Sequence, residues 1–159
     1  MIVNGKYQTL GHKRANAFDA INRSLKLPAT VGVSVRQVKK EGGAIAVNAC
    51  TLGKFDSAAL CVALVEHGIQ RRITGGENKG RTLGMDNVVL EFKCIELTGP
   101  FGHEFSFNLK HVPGGKSRNL GAVAFVQRTD NMDILGAQST RIHWQPGEKP
   151  DKEPSLEFE

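Results

Sequence analysis

The sequence predicts a mainly β fold, an antiparallel β-sandwich of about seven to eight strands preceded by a β-hairpin and one helix. Three observations carry this expectation. Apolar residues alternate with period two in segment after segment from Val31 onward. The strand-like segments recur at a spacing of roughly ten residues, with polar turns between them. Glycine is abundant, 18 in 159 residues, and falls largely where those turns are needed.

Ile2-Val3, Asn4-Gly5 and Lys6-Tyr7 read as a strand, a two-residue turn and a returning strand. Asn-Gly suits a type I′ turn, whose central positions both need positive φ. In the segment HKRANAFDAINRSLK, Ala17, Phe18, Ile21 and Leu25 recur at helical spacing with charged and amide side chains opposite. Pro28 ends the helix, because the residue before a proline avoids helical backbone. This unit, residues 1–27, is too small to enclose a core, so its apolar face is expected to lie against something else.

Val31, Val33 and Val35 alternate in a half-buried strand, Lys39 to Gly43 make a polar turn, and Ala44 to Cys50 return as a second strand. The run from Ala58 to His67 fits a buried strand or a buried helix. Flanking strands and the glycines at 53 and 68 favour the strand. Ile69 to Thr74 continues as a short basic strand. From Asn87 to Leu97 the alternation places Val88, Leu90, Phe92, Cys94 and Leu97 inward, with Glu91, Lys93 and Glu96 outward. Gly99 to Gly102 is a turn, Glu104 to Leu109 a strand, and His111 to Asn119 a loop. Gly121 to Arg128 and Ile134 to Ile142 close the sheet around a turn at Asp130-Asn131. The sandwich thus occupies residues 29–144, and the Pro- and charge-rich residues 145–159 read as a disordered tail.

The most distinctive stretch is GGENKGRTLGMDNVVLE, residues 75–91. Its glycines permit positive φ and close backbone approach, and its polar residues suit an ordered loop feeding a buried strand. Glu77, Asn78, Arg81, Asp86 and Asn87 are the candidate binding or loop-structuring residues. In the structural version, Arg81 pairs with Glu77 or Asp86 and pins the loop. In the functional version, the same cluster binds a ligand or partner.

Composition removes several classes. Hydrophobic residues make up 40%, ample for a core. No apolar run approaches the ~20 residues that cross a bilayer, and MIVNGKYQTLG lacks the layout of a secretory signal. The net charge of +5 is spread over scattered doublets such as Lys13-Arg14 and Arg71-Arg72. With aromatics at 6% and none interleaved with arginine, a nucleic-acid surface is not expected. Cys50, Cys61 and Cys94 form no Cys-x-x-Cys and read as small buried hydrophobes; a disulfide between two of them would leave one over. The five histidines lie far apart, and bringing His103 and His111 together across a hairpin would still leave a metal short of a third ligand. The serines lack a nucleophile elbow, and Gly114-Gly115-Lys116-Ser117 lacks the full phosphate-loop layout. No catalytic residue, metal site or cofactor is expected.

The GGENKGRTLGMDNVV stretch resembles the GEN-x-GR-T-L…NVV segment of the secreted thioredoxin-like family called domain of unknown function 1223. Gly121 to Gln127 and Ile134 to Ala137 are similar to that family's last strands, and Ile2-Val3-Asn4-Gly5 to its Val-x-Gly strand. The resemblance implies a thioredoxin-like half bearing Cys-x-x-Cys, followed by a β-rich half, and a secreted or periplasmic location. On that basis residues 1–27 are the end of a thioredoxin fold, and Met1 lies where that fold is nearly over. Neither the Cys-x-x-Cys nor the proline before the opening strand is present here. The expected function is a non-enzymatic β-sandwich module that binds or stabilises a protein partner or a missing N-terminal half. The alternative is a fragment of a thiol-disulfide oxidoreductase whose Cys-x-x-Cys lies upstream.

Overall fold

A computed structural model describes residues 1–10, 12–41, 44–99, 102–108 and 118–144. The expected tail after Trp144, most of the loop from His111, and the tips of two predicted turns, Gly42-Gly43 and Pro100-Phe101, lie outside the described residues. The elements in order are β1 (Ile2–Val3), β2 (Tyr7–Gln8), α1 (Arg14–Leu25), β3 (Gly32–Glu41), β4 (Ala44–Leu52) and β5 (Ala58–Glu66). They continue with β6 (Ile69–Arg72), β7 (Thr82–Met85), β8 (Val88–Glu96), β9 (Gly102–Asn108), β10 (Arg118–Arg128) and β11 (Ile134–Trp144). The protein is mainly β. Among the described residues every strand pairing is antiparallel, and no sheet closes into a barrel.

Two sheets form the body. One has the order β11-β10-β5-β8 and the other β3-β4-β9. Their inward side chains make a single core: Leu60, Val62 and Leu64 of β5 and Leu120, Ala122, Ala124 and Val126 of β10 meet Ile45, Val47, Phe105 and Phe107 of the other sheet. The arrangement is sandwich-like, with alternate residues of β4 and β9 buried as period two requires. β5 is the exception, buried on both faces over most of its length. This is why its sequence is a continuous apolar run and could not by itself be told from a helix.

Bulges adjust how the sheets close. On β11 the extra residue is Leu135, between the pairs Val126–Gly136 and Gln127–Ile134. Its carbonyl accepts hydrogen bonds from the amides of Thr30 and Val31, at 2.9 and 3.2 Å, joining the two sheets along one side. A Cβ on Gly136 would stand 1.9 Å from the Val31 carbonyl oxygen, so only glycine permits that approach. On the opposite side Lys93 closes the gap. Its ammonium donates to the Ser106 carbonyl and lies 5.3 Å from the centre of the Phe107 ring.

A bulge also corrects the expected facing of β8. Leu64 pairs with Glu91 and Val65 with Val89, leaving Leu90 as the extra residue. Alternation reverses there. Lys93 and Ile95 therefore face inward beside Val62 and Leu60, while Phe92 and Cys94 face outward beside Ala63 and Cys61. The strand is an edge, half exposed rather than buried. Smaller differences are extensions. Lys39 to Glu41 belong to β3, and Arg118 and Asn119, expected in a loop, begin β10.

The N-terminal unit is a hairpin and helix, as its sequence predicts. Asn4 and Gly5 have φ of 54° and 70°, the conformation that Asn-Gly supplies most easily. The turn packs against the β10–β11 connection. The Ile134 amide donates to the Asn4 carbonyl at 3.2 Å, and Lys6 reaches Asp133 at 3.7 Å. A Cβ on Gly5 would fall 1.8 Å from the Met132 carbonyl oxygen, so that seat requires glycine. Helix α1 buries its small side chains. Ala20 is buried, and Ala17 and Ser24 on the same side are half-buried. The bulky stripe of Phe18, Ile21 and Leu25 points away from the molecule.

Candidate functional site

The polar stretch at residues 75–87 is divided by the fold. Most of it is the tip of the β6–β7 hairpin, and its first seven residues serve mainly one another. The Ile73 amide donates to the Arg81 carbonyl, and the Gly80 amide to the Ile73 carbonyl, both at 2.8 Å. Gly76 and Gly80 take positive φ, 71° and 85°, as the turn demands. The close backbone approach expected of these glycines does not occur: nothing lies within 4 Å of a Cβ built on Gly75, Gly76, Gly80 or Gly84. Glu77, Asn78 and Arg81 are all exposed, and the Arg81 guanidinium donates to the Asn78 side chain at 3.2 Å. The expected pairing of Arg81 with Glu77 or Asp86 is not formed. For Asp86 distance explains it, since the paired strands β6 and β7 separate the hairpin tip from its base.

Asp86 and Asn87 belong to another place. Asp86 Oδ1 accepts the Gly68 amide at 2.7 Å, tying the start of β6 to the turn into β8. Asn87 holds that turn with a φ of 53°, a conformation asparagine tolerates better than most residues. Both line a cleft of about 340 Å³ on the outer face of the four-stranded sheet, together with Val65, His67, Val123 and Arg141. Ser139 and Thr140 complete its rim.

His67, Gly121 and Arg141 were not singled out by sequence. The cleft exists because Gly121 has no side chain. A Cβ there would meet His67 Nε2 at 2.6 Å and the Thr140 carbonyl oxygen at 3.0 Å, so the imidazole lies over bare β10 backbone. The His67 side chain is 14% exposed, and its Nδ1 is 4.0 Å from Asp86 Oδ1. The register sets Arg141 of β11 opposite Gly121, and Gly121 opposite Val65 of β5. The one signal in the sequence was the glycine itself, isolated inside an apolar strand, which marks a close approach.

The remaining outer face of this sheet is apolar. Phe92 and Phe125 stack with ring centres 6.0 Å apart. Beside them Cys61 and Cys94, directly opposed on β5 and β8, form a disulfide with a Cα separation of 4.1 Å. This replaces the expectation that both are unpaired buried hydrophobes. Cys61 is buried, Cys94 is exposed, and Cys50 is the free thiol. At the far end of the core, Thr51 Oγ1 and His103 Nε2 are buried without hydrogen-bond partners among the described residues. His111, considered with His103 as a metal pair, lies outside the described residues, as does the 114–117 Gly-Gly-Lys-Ser segment.

The solved structures similar to this chain include distant likenesses. A domain of the outer membrane lipoprotein Omp28 from Porphyromonas gingivalis is 13% identical, with a TM-score of 0.47 over 72% of this chain and 96% of that one. A β-glucosidase from Kluyveromyces marxianus is 14% identical with a TM-score of 0.33, and its glucose complex 13% identical with 0.34. Each of those alignments covers 74% of this chain but only 15% of the glucosidase. None of the three bears on what this chain binds. No curated protein sequence matches it. The family described as protein of unknown function, DUF1223, matches residues 1–127, which is most of the chain, and the protein belongs to that family.

Proposed function

We propose that this chain is a non-enzymatic β-sandwich module whose N-terminal hairpin and helix dock a folded, thioredoxin-like domain. One observation carries the reading: α1 turns its large apolar side chains outward. Phe18 is 64% exposed and Leu25 78%, and Ile2 of the hairpin is 69% exposed. Met1, Leu10 and Leu27 add to the same unit. A helix whose only partner were its own hairpin would bury that stripe and expose Ala17, Ala20 and Ser24. The opposite arrangement leaves a surface suited to a second apolar layer. The partner class follows from family membership and the resemblance of residues 1–27 to the end of a thioredoxin fold. The cross-strand disulfide further supports a protein that matures in an oxidising compartment.

The test is binding in trans. A separately produced thioredoxin-like domain from this family, titrated into the chain, should bind saturably. Phe18→Asp combined with Ile21→Asp should abolish that binding while leaving the melting temperature of the sandwich unchanged. Absence of binding, or binding indifferent to the two substitutions, would overturn the proposal.

A further inference from the structure

Beyond docking, the structure carries a second, polar feature on a different surface. The cleft over Gly121 has charge of one sign at each end. Arg141 on β11 has no acidic partner among the described residues. Asp86, at the β8 end, is 72% exposed, and its Oδ1 is engaged by the Gly68 amide, leaving Oδ2 open. Between them lie the imidazole of His67 and the apolar walls of Val65 and Val123. We propose that this cleft binds a short zwitterion of dipeptide size, its carboxylate toward Arg141 and its ammonium toward Asp86.

Charge and length both select that class. A plain anion would gain from Arg141 but meet the Asp86 carboxylate, and a plain cation would meet the guanidinium. A molecule carrying both charges satisfies both ends and leaves neither charge without a partner. From β11 to β8 is three strand spacings, about 14 Å. Arg141 and Asp86 both line the cleft, and their side chains take up part of that span. What remains fits an extended dipeptide, about 7 Å long, with one hydrogen bond at each terminus. The cleft volume of about 340 Å³ accommodates such a molecule with its central amide beside His67. The floor is built for this depth, since any side chain at position 121 would displace the imidazole.

An NMR titration of the ¹⁵N-labelled chain with glycylglycine tests the proposal, with acetate and methylamine as single-charge probes. Glycylglycine should shift the amides of His67, Gly121 and Asn87 saturably, and the single-charge probes should not. Arg141→Gln and Asp86→Asn should each weaken binding about tenfold. Lys79→Gln, on the hairpin tip outside the cleft, should leave it unchanged. The proposal is overturned by any of three results: no saturable shift in the cleft; acetate acting as well as glycylglycine with Asp86→Asn neutral, a plain anion site; or wild-type binding by both cleft variants.

Discussion

Strand β5 and helix α1 each carry an apolar face, and the fold treats the two oppositely. β5 is nine residues long, lies between β10 and β8, and covers the second sheet with Leu60, Val62 and Leu64. Its other face is sheltered by the Phe92–Phe125 pair and the Cys61–Cys94 bridge. α1 is longer, 12 residues, yet buries only Ala20. Both segments have the apolar pattern proper to their type. What differs is the neighbours: the strand has an element on every side, and the helix has a hairpin on one. A pattern states which face needs covering, and the rest of the chain decides whether it is covered.

The contrast is broken most severely through the shared core. Phe107→Ala should cost about 3–5 kcal/mol and Leu60→Ala about 2–5 kcal/mol, read as a lowered denaturation midpoint. Phe18→Ser should stay within about 0.5 kcal/mol of the parent, because its side chain contributes little contact to lose. Removing the bridge by the pair Cys61→Ala and Cys94→Ala should cost about 2–4 kcal/mol, and thiol titration of the unfolded parent should find Cys50 alone. Gly5→Ala should be selective. It places a Cβ against the Met132 carbonyl at a positive φ, so the hairpin should lift from the β10–β11 connection and lose its amide protection. The sandwich itself should melt nearly as before.

Two smaller effects sharpen the same division. Arg81→Ala, at an exposed hairpin tip, should change stability by less than about 0.5 kcal/mol, in contrast to the pinning role its sequence context suggests. At the β10–β11 turn, Arg128 hydrogen-bonds Asp130 at 2.8 and 2.5 Å and holds its carboxyl below the usual carboxylate range. A lowered carboxyl stabilises the fold above its unfolded pKa, and that contribution disappears as pH falls through the lowered value. The pair is open to solvent, with Asp130 exposed and Arg128 half-buried, so Asp130→Asn should flatten only a slight part of the acid limb of a melting-temperature profile.

Local features of the fold were legible in the sequence where one short-range rule governs. Asn4-Gly5 announces its turn because few other residues accept two successive positive φ values. β4 and β9 alternate cleanly because one sheet face meets the core. β8 was only half legible. Leu90 and Leu97 pack against the core as expected, but the bulge at Leu90 reverses Phe92 and Cys94, and a bulge depends on the partner strand rather than on β8 itself. The disulfide was hidden for the same reason, since the shifted register is what sets Cys94 opposite Cys61. Of the five candidate residues, Asp86 and Asn87 reached the cleft, whereas Glu77, Asn78 and Arg81 are carried away by a hairpin whose second strand, Thr82–Met85, was not anticipated. His67 and Arg141 come from distant segments joined only by strand order.

Hydrogen exchange measured on the free chain and again with a thioredoxin-like domain present tests the docking claim most directly. Amides of β5 should be protected to the level of global unfolding in both samples. Those of α1 should exchange far faster in the free chain and slow markedly when the domain is added. Helix amides as protected as β5 in the free monomer, or unchanged by the added domain, would contradict the account.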